Sequence, residues 1–157
     1  MGTMNVADRY DVGATPAEAI NQLQSFCRGE MSAVETYKQA MEATKDPQIL
    51  AQLQRNLASH EERVQLLCER IRQLGGDVPE GSGPWGVFAK AVEGTASVLG
   101  EKSALAALEE GEDHGLADYR ADFTNLDAQS ARMVADQILP AQIQTHSTLA
   151  SMKRSMA

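Results

Sequence analysis

Ile20, Leu23, Cys27, Glu30, Val34, Tyr37 and Met41 follow one another at spacings of 3, 4, 3, 4, 3 and 4. That alternation is the heptad stripe of a helix burying one face against other helices. A strand alternates every second residue and cannot produce it. A second stripe runs Leu53, Leu57, His60, Val64, Leu67, Ile71, Leu74. A third includes Leu105, Leu108, Glu112, Leu116, Tyr119 and Phe123. A fourth, with Val134, Ile138, Leu139, Gln142, His146 and Leu149, contains Pro140. Four stripes in 157 residues constrain the chain to an all-α fold around one shared core.

The breaks between stripes set the connections. Thr15 can cap a helix with Pro16 at its first position, and Glu18 completes a capping box. That helix should run to about Thr44. Asp46-Pro47 restarts the pattern, and the second helix ends near Leu74, where Gly75-Gly76 tolerates positive φ. The third should span Ser103 to Phe123 and the fourth Asp127 to Met152, kinked at Pro140. Residues 1–14 lack periodicity and are expected to be a disordered tail. Residues 15–157 then form the bundle, with a crossover over about 75–102. Within it Trp85 and Phe88 are expected to pin the connection, and 87–100 to form a short amphipathic helix. The order is two αα-hairpins joined by a long crossover between helices 2 and 3, a four-helix bundle.

Composition excludes several functions. The net charge is −8, with no basic face to neutralise phosphates, so nucleic acid is not an expected partner. No apolar run reaches membrane-spanning length, and the start has no cationic region followed by an apolar one. A cytoplasmic protein without a membrane partner is expected. Cys27 and Cys68 make no metal or redox spacing and read as small hydrophobes in a reducing compartment, ahead of a disulfide as the alternative. No glycine-rich phosphate loop and no nucleophile motif is present.

The informative residues are the polar ones on the stripes. "RGEMSAVETY" and "EGEDHGLADY" both contain Gly-Glu, six residues, then Tyr. Glu30 and Glu112 therefore sit at core positions of helices 1 and 3, and a buried carboxylate costs several kcal/mol unless paired or bound to a cation. His60 and His146 occupy core positions on the partner helices. Glu30 and His60 each lie 15 residues from Lys45, the centre of the first turn, so they are level. About the second turn Glu112 maps to residues 136–140, and His146 falls roughly 9–15 Å beyond at 1.5 Å per residue. Two carboxylates and two imidazoles would suit iron, manganese or zinc. Tyr37 and Tyr119 could donate hydrogen bonds to the carboxylates of the facing hairpin. The competing reading is a metal-free polar core that fixes bundle register.

These residues carry a resemblance. The duplicated Glu-x6-Tyr resembles the ferritin-like superfamily. The stretches "GEMSAVETYKQAMEATKDPQI", "IRQLGGDVPEGSG" and "LEEGEDHGLADYRADF" resemble the DUF2383 family of bacterial four-helix-bundle proteins over about residues 18–153. The resemblance implies a ferritin-like four-helix bundle, and in the wider superfamily a di-iron centre with Glu on helices 1 and 3 and Glu-x-x-His on helices 2 and 4. Glu30 and Glu112 match the first pair. The motif matches in neither register: His60 is preceded at that spacing by Leu57 and His146 by Ile143, and one turn later Arg63 and Leu149 stand at the histidine positions. Bridging carboxylates are missing, so a di-iron oxidase is disfavoured.

The expected function is thus a metal ion, iron first, held by Glu30, His60, Glu112 and His146, in metal or oxidative stress handling. The alternative is a metal-free helical oligomeric interaction module with a degenerate site. A homo-oligomer, a dimer first, is the expected assembly, and no reaction is assigned.

Overall fold

The computed structural model describes residues 14–83, 100–121 and 123–156. The expected tail up to Gly13, Trp85, Phe88 and the short helix expected over 87–100 lie outside the described residues, apart from Gly100. Helix α1 spans Pro16–Ala43 and α2 spans Pro47–Gln73. The Thr15 hydroxyl accepts from the Glu18 amide at 3.2 Å, and the Glu18 carboxylate accepts from the Thr15 amide at 2.9 Å. This reciprocal box satisfies donors that a helix start leaves without partners. Asp46 caps α2 by accepting from the amides of Gln48 and Ile49. Gly75, at φ 81°, closes the other end, in a left-handed conformation that a side chain would strain.

Helix α3 spans Glu101–Ala121. The Glu101 carboxylate accepts from the Lys45 amide at 3.0 Å, fastening the start of α3 to the α1–α2 turn. Tyr37 meets Glu112 and Tyr119 meets Glu30, so α1 and α3 run antiparallel.

The fourth helix comes in three pieces: α4 at Ala128–Met133, a π turn at Val134–Ile138, and α5 at Leu139–Ser155. Pro140 lies in the first turn of α5. It has no N–H to give the preceding turn, and the backbone widens to a π turn at that point. Asp127 caps α4 through the Ser130 amide and accepts from the Arg70 guanidinium of α2 at 2.8 Å.

The four long helices pack together, α1 on α2 and α3, and α5 on α3 and α2. Their apolar core is divided in two. One cluster holds Leu23, Phe26, Cys27, Leu67, Cys68, Ile71, Tyr119, Val134 and Ile138. The other holds Tyr37, Ala40, Leu53, Leu105, Leu108 and Leu149. Between them, at the same height on every helix, lies a belt of buried polar side chains.

Candidate functional site

The belt is built from one turn of each helix. Glu30 comes from α1, His60 and Arg63 from α2, Glu112 from α3, and Gln142 and Thr145 from α5. All six are buried. Leaving any one without a partner there would cost on the order of 1–3 kcal/mol, more for a charge.

His60 is the centre. Its Nδ1 lies 2.6 Å from Glu30 Oε2 and its Nε2 lies 2.6 Å from Glu112 Oε1. A neutral imidazole would turn a lone pair toward one of these carboxylates. Only the imidazolium donates from both nitrogens. Tyr119 donates to Glu30 Oε1 at 2.5 Å, and Tyr37 to Glu112 Oε1 at 2.7 Å. Each phenol thus serves the carboxylate of the other hairpin. Arg63 Nη1 donates to Glu30 Oε1 at 3.2 Å and also to Gln142 Oε1. Gln142 Nε2 and Thr145 Oγ1 each donate to Glu112 Oε2 at 2.9 Å. Asn56 donates to the Tyr37 oxygen at 3.1 Å and to the Thr145 carbonyl at 3.2 Å.

Two carboxylates thus face one imidazolium and one guanidinium, and the formal charge of the belt is zero. Burial alone would raise the pKa of Glu30. The Arg63 guanidinium and His60 imidazolium outweigh it and bring the group down to about 2. Glu112 is likewise lowered, burial being overcome chiefly by His60. Burial lowers His60, but the two carboxylates raise it more, and the net shift is upward. Tyr37 and Tyr119 are held well above the ordinary phenol value by burial and by the carboxylates they touch. Glu30, Glu112, His60 and the two phenols are each driven toward the protonation state they already have. A general acid or base needs a pKa near the working pH. This arrangement fixes protons instead of exchanging them.

A metal ion fits these residues poorly as they stand. The two carboxylates do not converge on a common point, because the imidazole lies between them with both nitrogens engaged. Arg63 brings a second positive charge to Glu30. Among the described residues, no group of three His, Cys, Asp or Glu side chains is arranged to hold a metal ion.

Of the four residues expected to act as ligands, Glu30, His60 and Glu112 come together and His146 does not. His146 Nε2 pairs with Asp113 Oδ1 at the rim of the bundle, where the His146 side chain is 27% exposed. Thr145 takes the core position instead. Residues 145 and 146 flank the line from Gln142 to Leu149 on opposite sides, so spacing alone does not choose between them. Gln142 reaches the backbone oxygen of Glu112 at 2.9 Å, so it stands level with Glu112, just past the 136–140 window. Asn56 escaped the sequence reading and Arg63 entered it only as a mismatch to the motif, because each neighbours an apolar residue, Leu57 or Val64. Both of those are only half-buried. The available signal was the row Asn56, His60, Arg63, Leu67 at spacings of 4, 3 and 4.

A cavity of about 70 Å³ between α1 and α3 reaches Glu30, His60, Glu112 and both tyrosines. Gly29 and Gly111, the glycines of the duplicated Gly-Glu, line it. A methyl group at either would meet no atom within 4 Å. Gly115 differs, since a methyl there would come within 2.9 Å of the Gln142 amide.

Among the described residues no helix is long and apolar enough to cross a membrane. A family model described as a domain of unknown function, DUF2383, matches residues 18–123. No curated protein and no solved structure matches the chain.

Proposed function

Since the chain belongs to the DUF2383 family, whose description assigns no activity, we propose that it is a non-enzymatic helical interaction module with a ferritin-like fold. In it a proton-bridged ionic core stands where relatives of that fold would hold metal. The carrying observation is the imidazole of His60 between Glu30 and Glu112, 2.6 Å from each. It supplies the positive charge that a buried carboxylate pair otherwise takes from an ion. The fold reading is supported by the crossed Tyr–Glu contacts. With α1 and α3 antiparallel and a short α1–α2 turn, α2 and α3 run the same way. The end of α2 and the start of α3 then lie at opposite ends of the bundle, as the ferritin-like arrangement requires.

A belt of this kind specifies register. Sliding one helix by a turn would break several charged hydrogen bonds together, whereas an all-apolar core would tolerate the shift. The module then offers its outer faces to partners, a second copy first.

The competing reading is an iron, manganese or zinc ion held by Glu30, Glu112 and His60. It is favoured by the cavity that reaches all three. Binding would require His60 to give up a proton and turn. Metal analysis of protein from cells supplied with all three metals separates the readings. Substoichiometric metal, with thermal stability unmoved by chelator, is expected. One equivalent of an ion that disappears in Glu30→Ala would overturn the proposal. Sedimentation tests the assembly: a dimer is expected, and a strict monomer would contradict self-association.

A further inference from the structure

Cys27 on α1 and Cys68 on α2 stand 41 residues apart in sequence, with their sulfurs in contact at 3.6 Å. Both are free thiols in the apolar cluster beside the polar belt. From the sequence they read as small hydrophobes, with a disulfide as the lesser alternative; the packing of α1 on α2 brings them together. We propose that this pair is a modification site for peroxide, closing an intramolecular disulfide that clamps α1 to α2.

The two residues differ in access. Cys27 has no exposed surface, while Cys68 is 8% exposed at the edge of the cluster. Burial, with the neighbouring sulfur, pushes the Cys27 thiol up to about 12. Cys68 is the sulfur that peroxide meets first. Its thiolate attacks one peroxide oxygen, the O–O bond breaks, the departing hydroxide takes up the proton the thiol gave, and Cys68 becomes a sulfenic acid with release of water. Cys27 then attacks the oxidised sulfur. The S–S bond forms, the S–O bond breaks, and the departing hydroxide takes the Cys27 proton as a second water. In total two thiols are oxidised and one hydrogen peroxide is reduced to two waters. Sulfurs already at van der Waals distance need only a small approach to bond, which favours the second step over further oxidation of Cys68.

The clamp lies beside the ionic core, because Cys27 sits three residues before Glu30. Oxidation would fasten α1 and α2 on the flank of the Glu30–His60 contact. Closing a long loop also restricts the unfolded chain, so the oxidised form should be the more stable one.

The test uses the full chain, reduced and then treated with hydrogen peroxide. Three readouts are taken: free thiols after denaturation, intact mass without reductant, and the thermal midpoint. The expected product has no free thiols, the mass of one chain less two hydrogens, and a higher midpoint that returns to the starting value on reduction. Two remaining thiols, oxygen added to either cysteine, chain-to-chain disulfides or an unchanged midpoint would each overturn the proposal. Cys27→Ser checks the order of attack. Cys68 should then gain oxygen, and a Cys68 left unmodified would contradict its role as the first site.

Discussion

Replacing His60 by Gln would leave Glu30 and Glu112 with one guanidinium between them. Removing one partner from a buried ionic group typically costs about 3–5 kcal/mol, and His60→Gln is expected to lose that much in denaturant unfolding. A loss under about 1 kcal/mol would mean that the imidazole is not charged in the folded state. The tyrosines should rank. Glu112 keeps His60, Gln142 and Thr145 when Tyr37 is lost, whereas among the described residues Glu30 keeps His60 and Arg63 when Tyr119 is lost. Hydrogen bonds to a charged group contribute about 1.5–3 kcal/mol. Tyr119→Phe should therefore fall at the upper end of that range and Tyr37→Phe at the lower, measured by the same unfolding curves. Glu30, His60 and Glu112 were legible in the sequence because a polar residue on an apolar stripe stands out. Arg63, Asn56 and Thr145 were not, because each sits one position from a residue that fits the stripe as well or better.

At the scale of the helices, the two glycines of the repeated Gly-Glu make a sharp contrast with Gly115. Glycine inside a helix is about 0.8–1 kcal/mol less favourable than alanine. Open space surrounds Gly29 and Gly111, so Gly29→Ala and Gly111→Ala should each raise stability by about that amount. Gly115→Ala should lower it, because the new methyl would push the Gln142 amide off Glu112. Thermal melts of the three variants decide this, and destabilisation by Gly29→Ala would show that α1 and α3 lie closer than described. Helix boundaries were readable to within about two residues, except at the fourth helix's C-terminal end, because their signals are local: Thr15 and Glu18, Asp46 and Pro47, Gly75, Asp127. The π turn was not readable. Pro140 announces a disturbance, but whether a helix kinks, breaks or widens depends on what packs against it.

For the whole molecule the belt dictates how stability varies with pH. Glu30 is lowered from 4.5 to about 2, so its contribution is complete above 4.5 and is lost as pH falls through about 2. Glu112 moves in the same direction. His60 is raised from 6.5, so its contribution is complete below 6.5 and is lost as pH rises through its elevated folded value. The belt therefore stabilises most between 4.5 and 6.5. Unfolding free energies across pH should peak in that window and decline on both sides. The order of helices and the antiparallel first hairpin followed from heptad stripes and turn signals. The charge balance of the core did not, because it depends on Arg63 and on which nitrogen meets which carboxylate. The protonation state of His60 is the most direct test. Nitrogen NMR of protein labelled at histidine, recorded above the ordinary histidine titration range, reads both ring nitrogens. The account expects His60 to keep protons on both, in slow exchange with solvent. A neutral ring with one unprotonated nitrogen would contradict it.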